Sequence, residues 1–225
     1  MGRERRARQP APASGMSSHH AAQEQESLTL ARVESAASAA ATLIDWLRDN
    51  ERRHHSIEQI SARLSGCLQR GGRILSCGNG GSMCDAMHFA EELSGRFRHD
   101  RRALSAQAIS DPAHLTCVAN DSGFERVFAR GVEAWGRAGD ALVLFTTSGN
   151  SANIVAAAAA ARAGGIEVVG LLGGDGGRVR ELCDLAVVVP AGTSDRVQEV
   201  HLKILHLVIE EIERRLVPEN YASPR

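Results

Sequence analysis

Two polar turns and two helical stretches carry the side chains whose types and spacing suit chemistry. His88 and Glu92 follow the turn Gly78-Asn79-Gly80-Gly81-Ser82 and lie four residues apart. On a helix that spacing sets both on one face, about 6 Å apart. An imidazole and a carboxylate so placed suit a borderline metal such as zinc, or acid–base work. Alone, such a pair is usually a solvated surface pair; its place just beyond a glycine-rich turn makes it a candidate. Glu91 falls on another face and reads as structural.

The second turn, Thr146-Thr147-Ser148-Gly149-Asn150-Ser151, packs four hydroxyls into six residues. Hydroxyls and free N–H groups at a helix start make a phosphate cradle that needs no lysine. An ordinary cap would use one or two of them. There is no GxxxxGK[ST] motif, and the first turn is not GxGxxG, so neither a Walker loop nor a dinucleotide site is supported. The closing helix adds Gln198, Glu199, His201, Lys203 and His206 among Val200, Ile204, Leu205 and Ile209. Gln198 and His206 are about 12 Å apart along the axis and about 80° around it. They reach one centre only if their side chains lean together or come from different subunits. By its apolar neighbours alone, His206 reads as a satisfied core histidine. Asn120-Asp121 is a polar pair at an element end that spacing does not raise above a turn.

These groups need elements to hold them. Ile74–Cys77 reads as a buried strand running into the glycine turn. A helix follows, with Met83, Met87, Ala90 and Leu93 facing the core and Ser82 as N-cap, completed by Asp85 three residues on. Strand, glycine turn and helix start present N–H groups to an anion. Further strands are expected at 106–109, 141–145, 166–172 and 185–189. Helices are expected from Asp111, over 124–136, 152–163 and 176–183, and from Asp195 to Leu216. This alternation means an α/β protein with a parallel sheet covered on both faces. Ligands then sit beyond the carboxyl ends of the strands, where the two polar turns should meet.

Ahead of the sheet, Leu28 to Arg70 is helical in pattern, with Leu30, Val33, Ala37, Leu43, Ile44 and Leu47 apolar, then Ile57, Ile60, Leu64 and Leu68. Asn50 or Ser56 marks the break between two helices, and Gly71-Gly72 stops the second. These helices are expected to serve an oligomer interface, with Trp46 as packing. Residues 1–26 read as a disordered tail, in which His19-His20 is incidental and Met16 is a possible alternative start.

The 225 residues are 43% hydrophobic and 24% charged, with a net charge of −1. That balance is ordinary for a soluble globular protein and gives no electrostatic case for nucleic acid or an anionic membrane. No apolar run approaches a membrane span, and the basic N-terminus has no apolar signal core. Gly2 lacks the Ser or Thr at position 6 that myristoylation wants. Five cysteines without a CxxC suggest reduced, mostly buried thiols and a cytoplasmic protein.

Together, GNGGSxxDAxHFAxEL at 78–93, AND at 119–121, TSGNS at 147–151 and DRVQEVHLKILH at 195–206 resemble the sugar isomerase (SIS) domain. More narrowly, they resemble its phosphoheptose isomerases, in uninterrupted order over about residues 45–216. The resemblance implies a three-layer α/β/α sandwich with a five-stranded parallel sheet over 73–217, preceded by oligomerisation helices over 27–72. It also implies a homotetramer with active sites between subunits. The implied reaction turns D-sedoheptulose 7-phosphate into D-glycero-D-manno-heptose 7-phosphate through an enediolate. It opens the route to nucleotide-activated heptose, whether for lipopolysaccharide, capsule or a secondary metabolite. His88, Glu92, Gln198 and His206 match zinc-binding positions, with Glu92 and His206 catalytic. Asn79, Gly80, Gly81, Ser82, Glu92, Asn120, Asp121, Thr146, Thr147, Ser148, Ser151 and Gln198 match substrate contacts; Thr146 stands where serine is more usual. The rival is a non-catalytic SIS protein that binds the bacterial replication initiator. Such proteins usually lack the Glu and final His that this chain has.

Overall fold

The computed structural model describes residues 18–222. The chain divides into two compact units, Met1–Thr42 and Leu43–Arg225. Helix α1 (Ser18–Arg48) begins in the first. The expected tail is therefore helical from Ser18 onward, and the rest of it, residues 1–17, lies outside the described residues. The Ala, Gln, Glu and Leu of that stretch are strong helix formers, so propensity outweighs the missing apolar period. Leu28, Leu30 and Val33 on this part of α1 are exposed.

The second unit is built on the sheet. Helix α2 (Glu51–Gln69) starts at Asn50, whose side chain accepts the Arg53 N–H as an N-cap should. Strand β1 (Ile74–Gly78) and α3 (Gly81–Ser94) follow, then β2 (Ala106–Ala108), α4 (Pro112–Ser122) and α5 (Val127–Trp135). After them come β3 (Ala141–Thr146), α6 (Ala152–Ala163), β4 (Glu167–Gly173), β5 (Leu185–Val189) and α7 (Ser194–Leu216). All five strands are parallel in the order β2-β1-β3-β4-β5. Successive strand residues feed opposite faces, as the pleat demands. Ile74, Val143, Phe145 and Val169 pack with Leu64, Phe89, Leu93, Ile204 and Ile209 of α2, α3 and α7. Leu75, Leu142, Leu144 and Val168 pack with Phe128, Val132, Ile154 and Ala157 of α5 and α6. The result is the expected α/β/α sandwich with a five-stranded sheet.

Several local expectations change. Helix α3 begins at Gly81 with Gly80 as its cap at φ +55°, and no side chain caps it. Ser82 is therefore not the N-cap; it is the second residue of the helix and is buried, as is Asp85 one turn further on. The core face of α3 is Ala86, Phe89, Ala90 and Leu93, while Met87 is 48% exposed. The expected helix over 176–183 is only a 3₁₀ turn, Arg178–Leu182, because Gly174, Gly176 and Gly177 all take positive φ just before it. A 3₁₀ turn, Phe124–Arg126, likewise precedes α5 after Gly123 at φ +91°. Of the cysteines, Cys67 and Cys77 are buried and Cys183 partly so, but Cys84 and Cys117 are exposed on α3 and α4.

Gly78 at the end of β1 pairs in register with Phe145 near the end of β3. The two polar turns thus leave the sheet side by side. Between β1 and β3 the strand order reverses direction, which is where open parallel sheets bind ligands.

Candidate active site

A mutual amide pair joins the first turn to α6. Asn79 Nδ2 donates to Asn153 Oδ1 at 2.8 Å, and Asn153 Nδ2 donates back to Asn79 Oδ1 at 2.8 Å. Against this brace lies a cavity of about 300 Å³. Its walls include Asn79, Gly80, Gly81, Ser82, Thr146, Thr147, Ser148, Ser151 and Gln198, all expected substrate contacts, together with Phe145 and Ser194.

The hydroxyls divide their work. Thr146 is buried and its Oγ1 accepts the Gly149 N–H at 3.1 Å, so it shapes the turn. Ser148 Oγ accepts the Asn150 N–H at 3.2 Å. Thr147 and Ser194 share a hydrogen bond of 3.0 Å across the cavity rim. Ser151 is the N-cap residue of α6 but makes no capping bond, which leaves its hydroxyl to a ligand at the positive end of that helix. Gly81 leaves room for Gln198: a Cβ there would stand 2.6–2.7 Å from its carboxamide atoms and push that side chain aside. Two larger clefts, about 670 and 460 Å³, open around Asp140 at the amino ends of the strands. They hold none of the expected residues, and ion pairs Arg63–Glu167 and Arg162–Asp184 line the larger.

A second group of side chains gathers further along α3. His88 Nε2 lies 3.2 Å from Glu92 Oε1 and 3.3 Å from His206 Nε2. The three ligand atoms all fall within 4.8 Å of one another. Tetrahedral donors at about 2.0–2.2 Å from zinc would lie roughly 3.4 Å apart, so two imidazoles and a carboxylate at these separations fit that ion. Burial, then the neighbouring His88, push the His206 imidazole below its ordinary range, which keeps its lone pair free. Phe97 stacks on that ring at 5.7 Å between centroids and 21° between planes, fixing its orientation.

His206 is thus half-buried in the site. The core histidine is instead His201, fully buried and bonded through Nε2 to the Leu172 carbonyl at 3.2 Å, with its Nδ1 left unpartnered. Gln198 lies at the cavity end, beside Gly81. Asn120 and Asp121 are not drawn into the cavity of the single chain. They sit exposed at the end of α4, a helix with no buried residue, and Asn120 Nδ2 bonds Asp121 Oδ1 at 2.7 Å. Three contributors escape the sequence reading: Asn153, Ser194 and Phe97. An asparagine on the inward face of an alanine-rich helix is a signal for the first; nothing local marks the other two.

A family model for the SIS domain matches residues 37–173. A phosphoheptose isomerase from Fusobacterium nucleatum is 52% identical over 175 residues, 78% of this chain and 90% of that protein. One from Escherichia coli is 49% identical over 180 residues, 80% of this chain and 93% of that protein. The solved phosphoheptose isomerase of Neisseria gonorrhoeae superposes with a TM-score of 0.73 at 35% identity, covering 84% of this chain and 98% of that one. That of Francisella tularensis does so with a TM-score of 0.79 at 32% identity, covering 83% and 98%. The chain belongs to the phosphoheptose isomerases, the aldose–ketose isomerase enzymes of the SIS-domain family.

Proposed function

We propose that this protein converts D-sedoheptulose 7-phosphate into D-glycero-D-manno-heptose 7-phosphate, the first step towards nucleotide-activated heptose. One observation carries the reading: an acid–base cluster and a hydroxyl-rich cavity share α3, about 10 Å apart along its axis between Gly81 and His88. That separation suits a substrate held by its phosphate at one end and reacting at the other. The phosphate lies against Thr147, Ser148 and Ser151 at the start of α6, where hydroxyls and the helix dipole favour it.

At the reacting end a proton leaves C1 of the ketose, an enediolate forms, and a proton returns to C2. Glu92 is the base that moves the carbon-bound proton, and His206 exchanges protons with the two oxygens. Burial, then the neighbouring His88, lower the His206 pKa and so favour its neutral imidazole. Phe97 holds its ring in place. His88, Glu92 and His206 would hold zinc, with Gln198 a fourth donor only once its carboxamide swings from Gly81 towards them, and zinc when bound would polarise the sugar carbonyl and favour negative charge on its oxygens. Asn120 and Asp121 contact the substrate in the assembled protein. We place that assembly as a homotetramer, supported by exposed apolar side chains on α1 (Leu28, Leu30, Val33, Ile44) and by Phe124. Free thiols and a phosphorylated substrate suit the cytoplasm; among the described residues no helix is long and apolar enough to cross a membrane.

The test is conversion of sedoheptulose 7-phosphate by the wild type and by Glu92→Gln. The wild type turns over, and the variant loses about 10²–10⁴-fold. Equal rates in both would end this mechanism.

A further inference from the structure

The segment after α3 returns one side chain to the interior. Arg101 and Glu213 form an ion pair whose side chains are 1% and 0% exposed, with Arg101 Nε donating to Glu213 Oε1 at 2.7 Å. The rest of the guanidinium grips the end of α3. Nη2 donates to the Glu92 carbonyl at 2.7 Å, and Nη1 donates to the carbonyls of Leu93, Gly95 and Arg102 at 3.0, 3.0 and 3.1 Å. The other Glu213 oxygen, Oε2, accepts the Tyr221 hydroxyl at 2.7 Å. Tyr221 comes from the 3₁₀ turn Pro218–Tyr221 that follows α7. Asn220 of the same turn donates to the Asp100 carbonyl at 3.1 Å, one residue before Arg101.

The last carbonyls of a helix have no partner within it, and a cation there is favourable. Capping alone, however, needs no buried carboxylate from another helix. Burying an ion pair is a poor route to stability, since apolar residues of similar volume commonly do as well. What this pair supplies is a fixed distance. One planar fork, rigid in its five donors, spans from the backbone of Glu92 to a carboxylate on α7. Glu213 stands two turns beyond His206 on that helix, about 10 Å along the axis.

We propose that Arg101 is a positioning residue: it ties the helix end bearing Glu92 to the helix bearing His206 and so sets the separation of the two groups. Glu213 is its anchor, and Tyr221 holds the anchor. The inference rests on the function proposed above for its kinetic readout, but its metal-binding readout does not. A lysine keeps the charge and loses the fork, so it cannot reach the carboxylate and the three α3-end carbonyls together.

The experiment compares wild type with Arg101→Lys and Glu213→Gln. It measures zinc affinity by competition with a chromogenic chelator, kcat and KM separately, and folding by circular dichroism. Groups that orient metal ligands cost about 10–100-fold in metal affinity or activity when replaced. Arg101→Lys is therefore expected to bind zinc 10–100-fold more weakly and to lose kcat by a similar factor, with KM within about twofold. A folded Arg101→Lys protein with wild-type zinc affinity and wild-type kcat would overturn the proposal. If Arg101→Lys does not fold, Glu213→Gln decides by the same criteria. Should the wild type bind zinc, fail to isomerise the sugar, and lose zinc affinity on Arg101→Lys, the proposed function falls and the positioning role stands.

Discussion

His88 and His206, 118 residues apart in sequence, present their Nε2 atoms to each other at 3.3 Å. The same His88 nitrogen faces Glu92 Oε1 at 3.2 Å. One proton cannot serve all three atoms well, whereas a cation placed among them satisfies every lone pair. The contact also fixes how the two helices lie. Gly81 meets Gln198 and His88 meets His206, so α3 and α7 run in the same direction with matching rise.

From that geometry, removal of metal should abolish activity and its return restore it. Zinc is expected to raise the thermal midpoint of the wild type, because a ligand that binds only the folded state stabilises it by mass action. His206→Asn should show a much smaller rise and an activity lower by about 10²–10⁴-fold. A chelator titration followed by differential scanning fluorimetry reads both.

Gly81→Ala pushes a methyl group into the Gln198 carboxamide. The obstacle is the far end of a flexible side chain, so folding survives and Gln198 moves. The expected outcome is a thermal midpoint near that of the wild type with kcat/KM down about tenfold, equivalent to about 1.4 kcal/mol. Steady-state kinetics beside a melting curve would check it.

Gly149→Ala is of the other kind. Gly149 sits at φ +64°, and a Cβ would come 1.9 Å from the Gly176 carbonyl oxygen, which is backbone and cannot step aside. Strain and overpacking together should cost about 3 kcal/mol. Urea denaturation would show the lowered midpoint.

His201 gives a pH signature. Its Nε2 donates to the Leu172 carbonyl, its Nδ1 is buried without a partner, and burial pulls its pKa down to about 4. The unfolded value is about 6.5. Between those values the unfolded chain binds the proton and the folded chain does not. Stability is therefore complete above about pH 6.5 and declines as pH falls towards 4, by up to about 3 kcal/mol. Asp85 acts in the opposite sense. Burial raises it to about 6, so its contribution is full below about pH 4 and is lost as pH rises. Comparing urea midpoints of wild type and His201→Gln at pH 7 and pH 4.5 cancels Asp85, which both retain. The wild type should lose more on acidification; equal losses would assign the effect elsewhere.

The sequence makes the sheet legible because its central strands β1, β3 and β4 are short apolar runs buried on both faces, bounded by glycine and polar turns. Asp111, Asn50 and Gly136 mark helix ends as capping chemistry predicts. Ser82 misleads because Gly80, at positive φ, caps α3 and starts it ahead of the hydroxyl. Met87 misleads because an apolar side chain at helical spacing need not face its own core. The Gln198 and His206 spacing leaves one centre or two open. In the structure His206 lies beside His88 and Gln198 beside Gly81. Arg101 is invisible in the sequence: its partners are backbone carbonyls and a glutamate 112 residues away.

The reciprocal amides of Asn79 and Asn153 have a further consequence. Asn79 precedes Gly80, and an asparagine–glycine step is where a backbone nitrogen most easily attacks the side-chain carbonyl ahead of it, releasing ammonia. With donor and acceptor both engaged by Asn153, the Asn79 carboxamide is held away from that attack. Chemical ageing there would leave a carboxylate facing the bay meant for an anion, so the clasp that shapes the bay also preserves its neutrality.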